Sequence, residues 1–117
     1  MHVFRSIPEL AALDGPVAVT VGFFDGLHLG HQSLLAELKE LAGSLQGSAL
    51  ILTFSNSPKA FHNGGDWHYL TLPDEKLYLL GKCGAENVLM LEYDESVAGQ
   101  TAAEFFSGIR KHCQLAG

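Results

Sequence analysis

Positive charge is scarce in this chain: seven Lys and Arg stand against thirteen Asp and Glu, a net charge of −6. A nucleic-acid backbone asks for a broad basic face, so these scattered cations exclude nucleic acid as an expected partner. Long apolar runs are missing as well. None approaches the roughly 18 residues of a membrane span, and Met1-His2-Val3-Phe4-Arg5 lacks the charged-then-apolar order of a secretory signal. The expectation is a cytoplasmic protein with no membrane partner. Cysteine is sparse: Cys83 and Cys113 lie thirty positions apart with no second ligand pair, which predicts two reduced thiols rather than a disulfide or a metal site. Internal repeats and low-complexity segments are absent. What remains, 117 residues of which 47% are hydrophobic, fits one domain with a small core.

The periodicity alternates between strand and helix, the pattern of a parallel sheet covered by helices. After a ragged leader through Leu13, the turn signal Asp14-Gly15-Pro16 precedes a first core strand at about 17–21. Leu34, Leu35, Leu38, Leu41 and Ala42 recur at helical spacing and predict a helix from about Leu29 to Ala42, with Gly43 placed to end it. Ser48 to Phe54 reads as a second, buried strand. The stretch around Asn63-Gly64-Gly65-Asp66 has neither period and reads as a long loop of the kind that binds ligands. Thr71-Leu72-Pro73-Asp74 resembles a capping box and opens a helix through about Lys82 that stops at Gly84. Val88 to Leu91 is a third strand. Thr101-Ala102-Ala103-Glu104 is a standard capping box before a last helix whose buried face is Ala102, Phe105, Phe106, Ile109 and Cys113. The expected fold is therefore α/β, a partial doubly wound, Rossmann-like parallel sheet in strand order 3-2-1 that lacks the later strands. Both long helices belong on one face and the last helix on the other. Strand one would be an exposed edge, and such an edge invites pairing with a second copy into a homodimer.

Between the first strand and the first helix runs Gly22-Phe23-Phe24-Asp25-Gly26-Leu27-His28-Leu29-Gly30-His31. Gly22, Gly26 and Gly30 let main chain approach a ligand closely. The helix N-terminus that follows offers unpaired N–H groups and about half a positive charge. His28 and His31, three apart, can share one side of the first turn and donate to phosphate oxygens. Asp25 could orient a histidine, help hold Mg²⁺ with a nucleotide's phosphates, or cap the helix. Zinc is the rival use of paired histidines, but no third ligand is close; His62 and His68 lie in the long loop. A nucleotide-binding or assembly module without catalysis is the other class this pattern admits.

The string as a whole resembles the FMN adenylyltransferase domain of bacterial bifunctional riboflavin kinase/FAD synthetases, a branch of the His-x-Gly-His nucleotidyltransferase superfamily. The family pattern Gly-x-Phe-Asp-Gly-x-His-x-Gly-His is met in full. Thr53-Phe54 with Ser57-Pro58 is similar to the family's Thr-Phe-x-Pro-His-Pro loop, with Asn56 and Ser57 where Pro and His are usual. Leu70-Thr71 with Glu75-Lys76-Leu77 is similar to its Leu-Thr…Glu-Lys-Leu helix start, and Thr101 to Phe105 to the helix after strand three. The resemblance implies attack of the 5′-phosphate of FMN on the α-phosphorus of ATP, with pyrophosphate leaving and Mg²⁺ assisting. It implies His28 and His31 as catalytic residues, and Gly22, Phe23, Asp25, His28, Gly30 and His31 around ATP. Phe54, Asn56 and Pro58 would border the flavin. The family's later Gly-x-Asp-Phe-x-Phe-Gly and Ser-Ser/Thr-x-x-Arg segments and its riboflavin kinase module have no counterpart in this sequence. Residues 1–117 are thus expected to form the N-terminal part of such a domain, with little turnover alone.

Overall fold

The computed structural model describes residues 1–22, 29–56 and 73–115, with backbone alone at 29–31. Five strands form one sheet: β1 (His2–Phe4), β2 (Pro16–Val21), β3 (Ser48–Phe54), β4 (Asn87–Leu91) and β5 (Gln114–Leu115). Their spatial order is β1-β4-β3-β2-β5, and every pairing is parallel. The helices are α1 (Leu29–Ser44), α2 (Pro73–Lys82), α3 (Glu95–Ala98) and α4 (Ala102–Arg110), with a 3-10 helix at Ile7–Ala12. None of the described helices is long and apolar enough to cross a membrane.

Strict alternation along the strands divides the core into two layers. Ala18, Ala49, Ile51, Val88 and Met90 pack with Leu35, Leu38 and Ala42 of α1 and Leu77 and Leu80 of α2. Their neighbours Val17, Leu50, Leu52 and Leu89 point the other way, onto Leu10 of the 3-10 helix, Ile109 of α4 and Cys113. Both long helices therefore share one face, and the last helix takes the other, as expected. The central strands are hydrophobic at nearly every position because both faces are covered. The two cysteines are free thiols, and burial pushes the Cys113 thiol above its ordinary value.

The three core strands occur side by side in the anticipated order, but two edge strands depart from the sequence expectation. β1 lies within the segment read as a leader and pairs with β4 through His2↔Asn87 to Phe4↔Leu89. β5 follows the last helix and pairs with β2 through Pro16↔Gln114 and Val17↔Leu115. At three and two residues, neither is long enough to show a period of two. The edge expected at strand one is therefore covered at Pro16 and Val17, and a homodimer along that whole edge is not open to it. The linker after Tyr93 also holds α3, capped by the Asp94 side chain, which accepts from the Val97 N–H.

Helix ends follow local chemistry. Thr101 and Glu104 form the reciprocal capping box: Thr101 Oγ1 accepts from the Glu104 N–H at 3.1 Å, and Glu104 Oε1 accepts from the Thr101 N–H at 3.0 Å. The Thr101 N–H and, after it, the Thr101 hydroxyl hold the Glu104 carboxyl below its ordinary pKa. Thr71, the first residue of the other expected box, lies outside the described residues. α2 stops at Gly84 as expected: its φ of +88° lets the Ala85 N–H reach back to the Leu80 carbonyl at 3.0 Å. α1, by contrast, runs straight through Gly43. Gln46 takes the left-handed conformation instead (φ 56°), and the Gly47 N–H closes onto the Ala42 carbonyl at 2.9 Å.

A Cβ on Gly47 would run into the carbonyl and ring of Pro16, whereas one on Gly108 in α4 would meet open space. Gly47→Ala should lower stability by about 1–3 kcal/mol, because the start of β3 must move away from β2. Gly108→Ala should raise it by roughly 0.5–1 kcal/mol, the helix-propensity gain. Urea unfolding followed by circular dichroism checks both signs.

Candidate functional site

In an all-parallel sheet every strand ends on the same side, and ligands of open α/β sheets bind at that carboxyl rim. Here the rim brings together three chain segments. β2 ends at Val21, in register with Leu52, and the next N–H, that of Gly22, continues the ladder to the Leu52 carbonyl at 3.0 Å. β3 ends at Phe54 opposite Leu91, and the Ser55 N–H carries on to the Leu91 carbonyl at 2.8 Å. α1 opens at Leu29 and so points its N-terminus to this end, with Gly30 and His31 in its first turn.

The electrostatics of that N-terminus set it apart. α2 carries Asp74 and Glu75 in its first turn, and α4 carries Glu104; α1 carries no acidic residue there. A carboxylate within the first turn would offset the partial positive charge of a helix N-terminus, and the first turn of α1 has none.

The sequence-derived site residues divide by position. Gly22, Gly30 and His31 stand at the junction of β2 and α1, and Phe54 and Asn56 at the end of β3, all on the one rim. Phe23, Asp25 and His28 belong to residues 23–28, and Pro58 to 57–72; these four lie outside the described residues, as does the long loop.

Asn56 is engaged by the main chain of Tyr93. Its Nδ2 donates to the Tyr93 carbonyl at 2.8 Å while its Oδ1 accepts from the Tyr93 N–H at 2.7 Å. The amide thus copies a strand partner beyond the end of the ladder, tying the segment after β3 to the segment after β4. Phe54 is only 8% exposed and meets the Tyr93 ring edge-on, with centroids 5.4 Å apart.

Lys76 is the feature that residue types alone do not reveal. It is 1% exposed, and its Nζ donates to the Phe54 carbonyl at 2.8 Å, with the Thr53 hydroxyl at 3.5 Å. Its spacing is the signal that marks it: positions 76, 77 and 80 form the inward stripe of α2, so a lysine at 76 occupies a core position. Among the described residues no group of three or more His, Cys, Asp or Glu is placed to hold a metal ion.

A model of the FAD synthetase family matches residues 11–116. The chain is 34% identical over 107 residues to the bifunctional riboflavin kinase/FMN adenylyltransferase of Haemophilus influenzae, covering 90% of this chain and 34% of that protein. To the protein of the same name from Escherichia coli K12 it is 34% identical over 119 residues, covering 98% and 38%. It thus spans just over a third of the length of these curated relatives. Among solved structures it is similar to one titled a macrolide-efflux protein from Streptococcus pneumoniae (TM-score 0.77, 26% identity, 97% of this chain and 44% of that one). It is also similar to a pantothenate synthetase from Thermus thermophilus (TM-score 0.52, 26% identity, 83% and 36%).

Removing the Asn56 amide deletes two hydrogen bonds at a half-buried position. Asn56→Ala should cost about 1–3 kcal/mol, and Asn56→Asp, which sets a carboxylate oxygen against the Tyr93 carbonyl, should cost at least as much. The order of the urea midpoints checks it.

Proposed function

This chain belongs to the FAD synthetase family, and on that premise we propose that it forms the first part of an FMN adenylyltransferase site, taking MgATP and FMN as substrates. The observation that carries the reading is an α1 whose first turn holds no carboxylate, set at the carboxyl rim beside the end of β3 and reached through a complete Gly-Phe-Phe-Asp-Gly-Leu-His-Leu-Gly-His string. In this reading His28 and His31 donate to the α-phosphate and to the leaving pyrophosphate. Gly22, Phe23 and Gly30 bring main chain close to the nucleotide, and Asp25 supports that turn. Phe54, Asn56 and Pro58 border the flavin.

The chemistry is an in-line transfer. An oxygen of the FMN 5′-phosphate attacks the α-phosphorus of ATP, the bond from that phosphorus to the bridging oxygen of the β-phosphate breaks, and pyrophosphate departs with the electron pair. No enzyme nucleophile is required. What the protein supplies is alignment of the two phosphates and donors aimed at charge that grows on the leaving group. Mg²⁺ enters as part of the MgATP substrate, where it neutralises phosphate charge.

Calorimetric titration with MgATP tests the phosphate site. The chain should bind, and His28→Ala should weaken binding about ten- to a hundredfold, the loss expected for a charge-assisted hydrogen bond. Equal heats for the two proteins would remove His28 from the site. Conversion of FMN and ATP to FAD, read by chromatography, measures how much of the transfer these residues perform.

Pairing with a second copy is a separate proposal, confined to Ala18–Val21. Among the described residues no strand pairs with the outer side of that stretch, and Val21 is 44% exposed. Light scattering should then show a mass that rises with concentration; a constant monomer mass would overturn the pairing.

A further inference from the structure

Lysine is the residue least suited to a dry position, since an ammonium taken out of water needs acceptors in place of its hydration. Lys76 is nevertheless the one charged side chain that is buried among the described residues. It projects from α2 onto the sheet face that also carries Ile51, and its Nζ meets the carbonyl of Phe54, the last residue of β3, at 2.8 Å. From the other side the same few residues are held by the end of β4. The Ser55 N–H bonds to Leu91, and the Asn56 amide takes both main-chain groups of Tyr93. The three residues at the rim end of β3 are thus clamped between a helix and a neighbouring strand, and the long segment that begins at residue 57 leaves from this clamp.

We propose that Lys76 is a positioning residue for the acceptor substrate: by holding the Phe54 carbonyl it sets the direction in which the chain leaves β3, and so the placement of the acceptor next to it. The inference rests on the reading of that rim as the FMN side of an adenylyltransferase. Lys76 touches neither substrate in this account. Its effect passes through the main chain of residues 54–56, and the nucleotide side at the start of α1 does not depend on it.

The test uses the full chain with Lys76→Met, Lys76→Arg and Asn56→Ala beside the parent protein. Hydrogen exchange reads the clamp directly. In Lys76→Met the Ser55 and Tyr93 amides should lose protection while those of Leu50 and Leu89, deeper in the sheet, keep it. FMN affinity, followed by quenching of flavin fluorescence, should fall about tenfold or more in both Lys76→Met and Asn56→Ala, with MgATP affinity within about twofold of the parent and Lys76→Arg recovering most of the loss. Unchanged exchange at Ser55 and Tyr93 in Lys76→Met would overturn the clamp without reference to any ligand. An equal fall in both affinities would overturn the positioning role and leave Lys76 a stability residue; if Lys76→Met does not fold, Lys76→Arg and Asn56→Ala are read by the same criteria. A parent chain that binds MgATP but not FMN would overturn the acceptor role while sparing the phosphate site, and one that binds neither would overturn the proposed function itself.

Discussion

Parallel pairing is the constraint from which the remaining architecture follows. Each strand must be returned to the same starting edge before the next can pair, so the chain crosses over the sheet between strands and covers it with helices. With α1 and α2 on one face and the 3-10 helix and α4 on the other, β3 and β4 have no wet side, and hydrophobic residues fill nearly every position of both. The same constraint gathers the strand ends. Val21, Phe54 and Leu91 lie side by side, and the segments that leave them have no choice but to share a rim.

At that rim the balance shifts from apolar packing to polar bonding. Of the three buried polar or charged side chains among the described residues, Thr53 and Lys76 meet at the end of β3, while Asn87 sits at the opposite end of β4 and donates to the Ala49 carbonyl at 3.0 Å. A ladder that ends must satisfy its last carbonyls with something other than a neighbouring strand. Here an ammonium from α2 and an amide from Asn56 serve. The start of α1 is built oppositely, by leaving groups out. The first turn of α1 holds no carboxylate to offset its dipole.

Much of this was legible in the residue pattern. Ser48–Phe54 is apolar at Ala49–Leu52 and Phe54 and appears as a strand with the expected bounds. The Thr101 box and the stop at Gly84 are local devices, complete within a few residues, and both occur as written. The short edge strands were not legible, since two or three residues carry no period and their partners are remote in sequence: β1 pairs some 85 positions away. Gly43 misled for a related reason. A glycine ends a helix only when the next turn needs its positive φ, and that turn falls three residues later, at Gln46.

Residue pattern alone settles the alternation of strand and helix, the two-faced burial of the sheet, and the chemical character of the β2 to α1 junction, because these depend on spacing and on residue types within a turn or two. Packing alone settles which side chains bond the main chain at the ends of β3 and β4. The residue type at 76 does not show its buried bond to Phe54 until α2 is laid on the sheet, and the bonds of Asn56 do not exist until the end of β4 is brought beside it. Both roles come from partners 22 to 37 positions away, and contacts across such separations are settled by packing rather than by local propensity.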